Sequence, residues 1–141
     1  MAHEILSVKL CELEDQFSRL SSRIHLSETA SHERLQREIK ELAEEYTETE
    51  LTLRKKLQLS HAEIVSILAD AYKEIEQLVK KAEDSLQKQE DGSSPDAAVE
   101  EKILLAEYAL DFAVQTANRA LLLSMEAIDA QLLQQEERGS K

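Results

Sequence analysis

The side chains in this sequence that could do chemistry are chiefly carboxylates and histidines, and their spacing limits what that chemistry could be. Helical di-iron sites take Glu-x-x-His from two helices and single glutamates from two others, all directed inward. Here Glu28 and His32 stand four apart rather than three, and no second such pair occurs. His3, His25, His32 and His61 share neither a ligand spacing nor an inward position, so they read as surface or cap residues. No metal ligand set and no cofactor site is expected.

Acids three residues apart on a helix can hold Mg²⁺ for pyrophosphate hydrolysis, the arrangement of all-α nucleotide pyrophosphohydrolases. Glu41/Glu44 and Glu126/Asp129 have that spacing. In a chain with 29 acids such pairs arise by chance, and the basic and aromatic residues that would grip a nucleotide are not evident. Cys11, the one cysteine, follows Leu10, and nothing beside it in the sequence marks it as an activated nucleophile. Gly-rich phosphate loops, Ser/His/Asp arrangements and cysteine metal spacings are all missing. No catalytic residue is therefore assigned, and a metal-dependent phosphohydrolase stands only as an alternative.

Glu107, Asp111 and Arg119 interrupt the most apolar part of the chain. Glu107 and Asp111 share a helical face at i,i+4 and repel unless a cation answers them. Arg119 lies two turns on. An exposed polar strip accounts for all three; a register-setting layer or partner contact is the other reading.

The segments around these residues are helical by pattern. Only two glycines, one proline and 4% aromatic residues occur, and the common residues are helix formers. Disorder is the rival expectation at a net charge of −12, but the 42% apolar content is periodic rather than scattered. Leu6, Leu10, Leu13, Phe17, Leu20 and Ile24 alternate at four and three residues, the spacing of a coiled-coil seam. Leu35, Ile39, Leu42, Tyr46, Thr49 and Leu53 repeat the alternation, with Thr49 weakening it. So do Ile64, Leu68, Ala71, Ile75, Leu78 and Ala82, where Val65, Ile67, Ala69, Tyr72 and Val79 widen the apolar face.

The first two seams are separated by 26–31, where Ser27, Thr29 and Ser31 offer caps but neither Gly nor Pro enforces a stop. A break, or one helix running unbroken to about residue 58, is open at this point. Ser60-His61-Ala62-Glu63 reads as a capping box, with Leu59 and Ile64 placed for a hydrophobic staple. Asp91–Asp96 is the plainest turn: Gly92 can end a helix, Ser94 can cap the next, and Pro95 suits its first position. So short a link predicts antiparallel neighbours on either side.

The last helix is unusual. Of the 31 residues from Ile103 to Leu133, 21 are apolar, and they wrap most of the circumference. Ala106, Ala113, Ala120 and Ala127 recur every seventh residue, with Leu110 and Ala117 on the same line. These six form a small-residue helix-packing interface that lets a neighbour approach closely. Ile103, Leu110, Val114, Leu121, Met125, Ile128 and Leu132 form a bulkier stripe beside it.

The sequence thus predicts an all-α, elongated antiparallel bundle of three to four long helices with coiled-coil-like packing. Residues 1–137 form a single domain, with helices at about 3–26, 31–58, 61–90 and 95–137, and 138–141 form a disordered tail. One chain has few helices with which to sheath the last one, so a homodimer or larger homo-oligomer, or a helical protein partner, is expected.

The net charge disfavours direct binding to nucleic acid or anionic lipid. No apolar run is long enough to span a membrane, and no secretory signal opens the sequence, so a cytoplasmic location is expected. The functional expectation is a non-enzymatic interaction or scaffolding module. The phosphohydrolase, or an acidic decoy or regulator of a basic nucleic-acid-binding protein, is the alternative.

Overall fold

The computed structural model describes residues 2–90 and 94–139. Four α-helices follow one another: α1 (Ala2–Ser27), α2 (His32–Leu59), α3 (Glu63–Glu90) and α4 (Pro95–Gly139). No strand occurs among the described residues. The all-α class expected from composition and spacing is what the chain adopts, with four helices rather than three.

The helix starts show why. Ser31 has an extended backbone (φ −68°, ψ 158°), and its hydroxyl accepts a hydrogen bond from the Arg34 amide at 3.3 Å. The Ser31 carbonyl accepts from the Leu35 amide at 2.9 Å, the first bond of α2. This cap resolves the open question at 26–31 without glycine or proline, because a side-chain oxygen supplies the acceptor that the first turn lacks. Ser94 does the same for α4, accepting from the Ala97 amide at 3.4 Å, and Pro95 takes the first helical position. Asp91, Gly92 and Ser93, where the glycine stop was placed, lie outside the described residues, as do positions 140 and 141 of the expected tail. Residues 138 and 139 still belong to α4.

The capping box expected at Ser60 does not form. Ser60 is instead the extended residue that closes α2 (φ −88°, ψ 135°), and its hydroxyl accepts from the Ala62 amide at 3.3 Å. The first carbonyl used by α3 is that of Ala62, which accepts from Val65 and Ser66. Glu63 is thus the first helical residue, too early to reach back as a capping box requires. The staple is not made either: Leu59 is 80% and Ile64 63% exposed.

The chain divides into two units, Ala30–Lys102 and Met1–Thr29 with Ile103–Lys141. In the first, α2 and α3 form an antiparallel hairpin: Leu57 shares a groove with Ala69 near the bend, and Tyr46 shares one with Glu76 and Val79 further out. In the second unit, Leu6, Leu13 and Leu20 of α1 are half-exposed, while Leu10, Phe17 and Ile24 between them are exposed. Among the described residues none is buried.

Candidate interaction surface

Two surfaces gather the side chains with something to offer a partner. One is the α2–α3 hairpin. Tyr46, Glu50 and Arg54 follow at four-residue intervals on α2, so they share a face, and Tyr72 and Glu76 do so on α3. The Arg54 guanidinium reaches the Glu50 carboxylate, Nη2 to Oε1, at 2.6 Å. Glu50 keeps only 20% of its side chain exposed. Tyr46 and Glu76 line one groove between the two helices. The pull of the Glu76 carboxylate on its proton comes first, then partial burial, then Tyr72, and together they push the Tyr46 phenol well above its ordinary value. Tyr72 is also raised, chiefly by partial burial, although Tyr46 works the other way.

The faces that meet are not equivalent. On α2 the contact runs along Tyr46, Glu50 and Leu57, on or beside the seam read from the sequence. On α3 the half-exposed line is Val65, Ala69, Tyr72 and Glu76. The apolar stripe of α3 lies roughly 100° round the helix from that line. Ile64, Leu68, Ile75 and Leu78 are each 56–65% exposed, and Ala71 is exposed too. None of these five lines either groove between the two helices. The sequence marked this stripe but not that α2 would settle on its flank.

The second surface is α4. Of the six residues expected to form the packing interface, Ala113 and Ala117 are half-exposed, and Ala106, Leu110, Ala120 and Ala127 are exposed. Ser124 continues their line, and its hydroxyl donates to the Ala120 carbonyl at 2.7 Å; Thr116 likewise donates to Phe112 at 2.8 Å. Folding these hydroxyls back onto their own helix leaves them no unmet donor, so the surface they present is small and nearly apolar. Ile103, Leu110, Val114, Leu121, Met125 and Leu132 are exposed as well. Glu107, Asp111 and Arg119 lie on exposed positions, as do the apolar residues beside them.

Glu41 and Glu44 lie exposed on α2, and Glu126 and Asp129 exposed on α4, in the other unit. His25 approaches Glu28 (Nδ1 to Oε1 3.9 Å), while His32 and His61 are exposed; the side chain of His3 falls outside the description. Cys11 is exposed on α1. Among the described residues no three His, Cys, Asp or Glu converge as a metal site would require. No helix among them is long and apolar enough to cross a membrane.

The cross-seam cluster of Tyr46, Tyr72 and Glu76 is what the sequence reading missed. The spacing alone places Tyr46 in a seam and Tyr72 on a widened apolar face. The available signal was the i,i+4 spacing of Tyr72 and Glu76 combined with a tyrosine on the facing seam. No family model, curated protein or solved structure matches this chain.

Proposed function

We propose that this chain is a non-enzymatic helical interaction module that associates with a second copy of itself through its apolar helix faces. The observation that carries the reading is the α3 stripe. Ile64, Leu68, Ile75 and Leu78 follow the four-and-three spacing of a helix-pairing seam and are all more than half exposed. Fully burying such a side chain stabilises by about 1.5–3 kcal/mol, and most of that gain is unrealised here. Soluble monomers rarely leave a contiguous apolar patch of this kind open.

The α4 faces support the same reading, since Ala106, Leu110, Ala113, Ala117, Ala120 and Ala127 suit a close helical neighbour. The single cysteine, Cys11, suits a reducing compartment, and we assign the module to the cytoplasm on that ground.

Light scattering of the full chain tests the proposal. The expected mass is twice 16.0 kDa or a higher multiple. Ile75→Asp with Leu78→Asp should lower it toward the monomer while the circular-dichroism spectrum stays helical. A wild-type chain that is monomeric at every concentration overturns the reading.

A further inference from the structure

The seam of α1 carries more than apolar residues. Leucine fills each d place of its coiled-coil repeat (Leu6, Leu13 and Leu20), and Leu10, Phe17 and Ile24 fill the a places. In one chain the a residues are exposed and the d leucines half-exposed. The residues bordering this seam are segregated by charge. Lys9, Gln16 and Arg23 stand on one border, each just before an a place, and Glu14, Ser21 and Glu28 on the other, each just after a d place. Glu28 lies in the turn that closes the helix; the other five are helical.

These borders select the direction in which a second α1 can lie. In a parallel pair, the residue before an a place meets the partner residue that follows the next d place. Lys9 then meets the partner's Glu14 and Arg23 the partner's Glu28, each contact repeated by symmetry, while Gln16 lies beside the partner's Ser21. In an antiparallel pair that matches all six seam residues, like borders meet instead. Lys9 then faces the partner's Arg23 and Glu14 the partner's Glu14, so the charged contacts repel. Both alignments cover the same apolar residues, and the charges separate them. Lys9 also approaches Glu12 on its own helix at 3.4 Å, an exposed pair too weak to compete strongly with a contact at the seam. Neither other seam of this spacing has such borders: a parallel pair would set Glu45 of α2 against the partner's Glu50, and Glu74 of α3 against the partner's Val79.

We propose that α1 pairs with α1 of a second copy as a parallel, in-register coiled coil, its direction set by Lys9 with the partner's Glu14 and Arg23 with the partner's Glu28. The inference deepens the self-association reading and rests on it. It adds a helix, a direction and a register that the α3 stripe does not specify.

The test uses the full chain with Cys11→Ser and Ser27→Cys. Ser27 takes the d place after Leu20, at the end of α1. In the parallel pair it stands across from its own copy, within reach of a disulfide, which needs Cα atoms about 4.4–6.8 Å apart. In the antiparallel pair the two positions are about 36 Å apart. In a glutathione redox buffer this chain should link into dimers about tenfold more than the native chain does through Cys11, which lies off the seam.

Two further chains add Lys9→Glu or Glu14→Lys to the Ser27→Cys background. Each alone meets like charge in the parallel pair, and the two together restore opposite charges. Mixed in equal amounts, they should form the mixed disulfide about threefold or more above its random share. Random partition overturns the direction assigned to the charges. If light scattering shows the chain associated but Ser27→Cys links no more than the native chain, the α1 pairing is overturned and self-association stands. A chain that is monomeric at every concentration removes self-association and this contact with it.

Discussion

Tyr46 on α2 and Glu76 on α3, thirty positions apart in the chain, line one groove between the two helices, and the carboxylate is the chief reason the phenol holds its proton. The consequence for stability follows from that protonation.

The neutral phenol is the form this contact favours, so Tyr46 holds its proton more tightly folded than unfolded. An acid whose folded value is raised contributes stability that is complete below its unfolded value, about 10 for tyrosine, and lost as pH rises through the folded value. Glu76, Tyr72 and Glu50 add negative charge around it, and Arg54, Lys73 and Lys80 line the same grooves and offset part of that. Thermal melts should therefore show the hairpin weakening above about pH 10, and Tyr46→Phe should flatten that limb. At neutral pH Tyr46→Phe should cost only a fraction of a kcal/mol, because the ring is about half exposed.

Ser31 and Ser60 look alike in sequence but should respond differently. Ser31→Ala removes the acceptor for the Arg34 amide and should destabilise α2 by about 1 kcal/mol in chemical denaturation. Ser60→Ala removes only a 3.3 Å turn bond to the Ala62 amide and should cost clearly less. Equal losses at both sites would contradict the helix starts described above.

Ala113→Leu and Ala120→Leu add bulk to the small-residue line of α4. If a second helix lies there in the assembly, each should overpack the contact by about 1–3 kcal/mol and lower the melting temperature at concentrations where the chain is associated. Ala120 is exposed within one chain, so its substitution should be nearly neutral under dissociating conditions. A melting temperature unchanged by either substitution at high concentration would mean that nothing packs closely on this line.

Much of the fold could be read from spacing, and the reasons are local. The alternation from Leu6 to Ile24 and from Ile64 to Ala82 reports a helix and its apolar side, because both follow from 3.6 residues per turn. Ser31 and Ser94 were visible as caps, since a cap bonds within three residues of itself. Ser60 misled because its role depends on where the previous helix stops, and α2 runs through Leu59. The seating of α2 on α3 was not legible at all. Nothing near Tyr46 indicates that Glu76 will face it, and the strongest apolar stripe of α3 pointed to a different contact. That information lies in the pairing of two helices.

Helix α4 continues unbroken for 45 residues, and from Ile103 to Leu133 it is apolar round most of its circumference. A rod that is oily on most of its sides does little to tell its neighbours apart by oiliness. What differs between its sides is depth. Along Ala106, Ala113, Ala120 and Ala127 another backbone could come in to about 8 Å, whereas Leu121, Leu122 and Leu123 would hold it nearer 10 Å. A helix laid along α4 would therefore be sorted by girth: slim, alanine- or serine-lined helices would fit the notch, and stout ones would be turned toward the leucines.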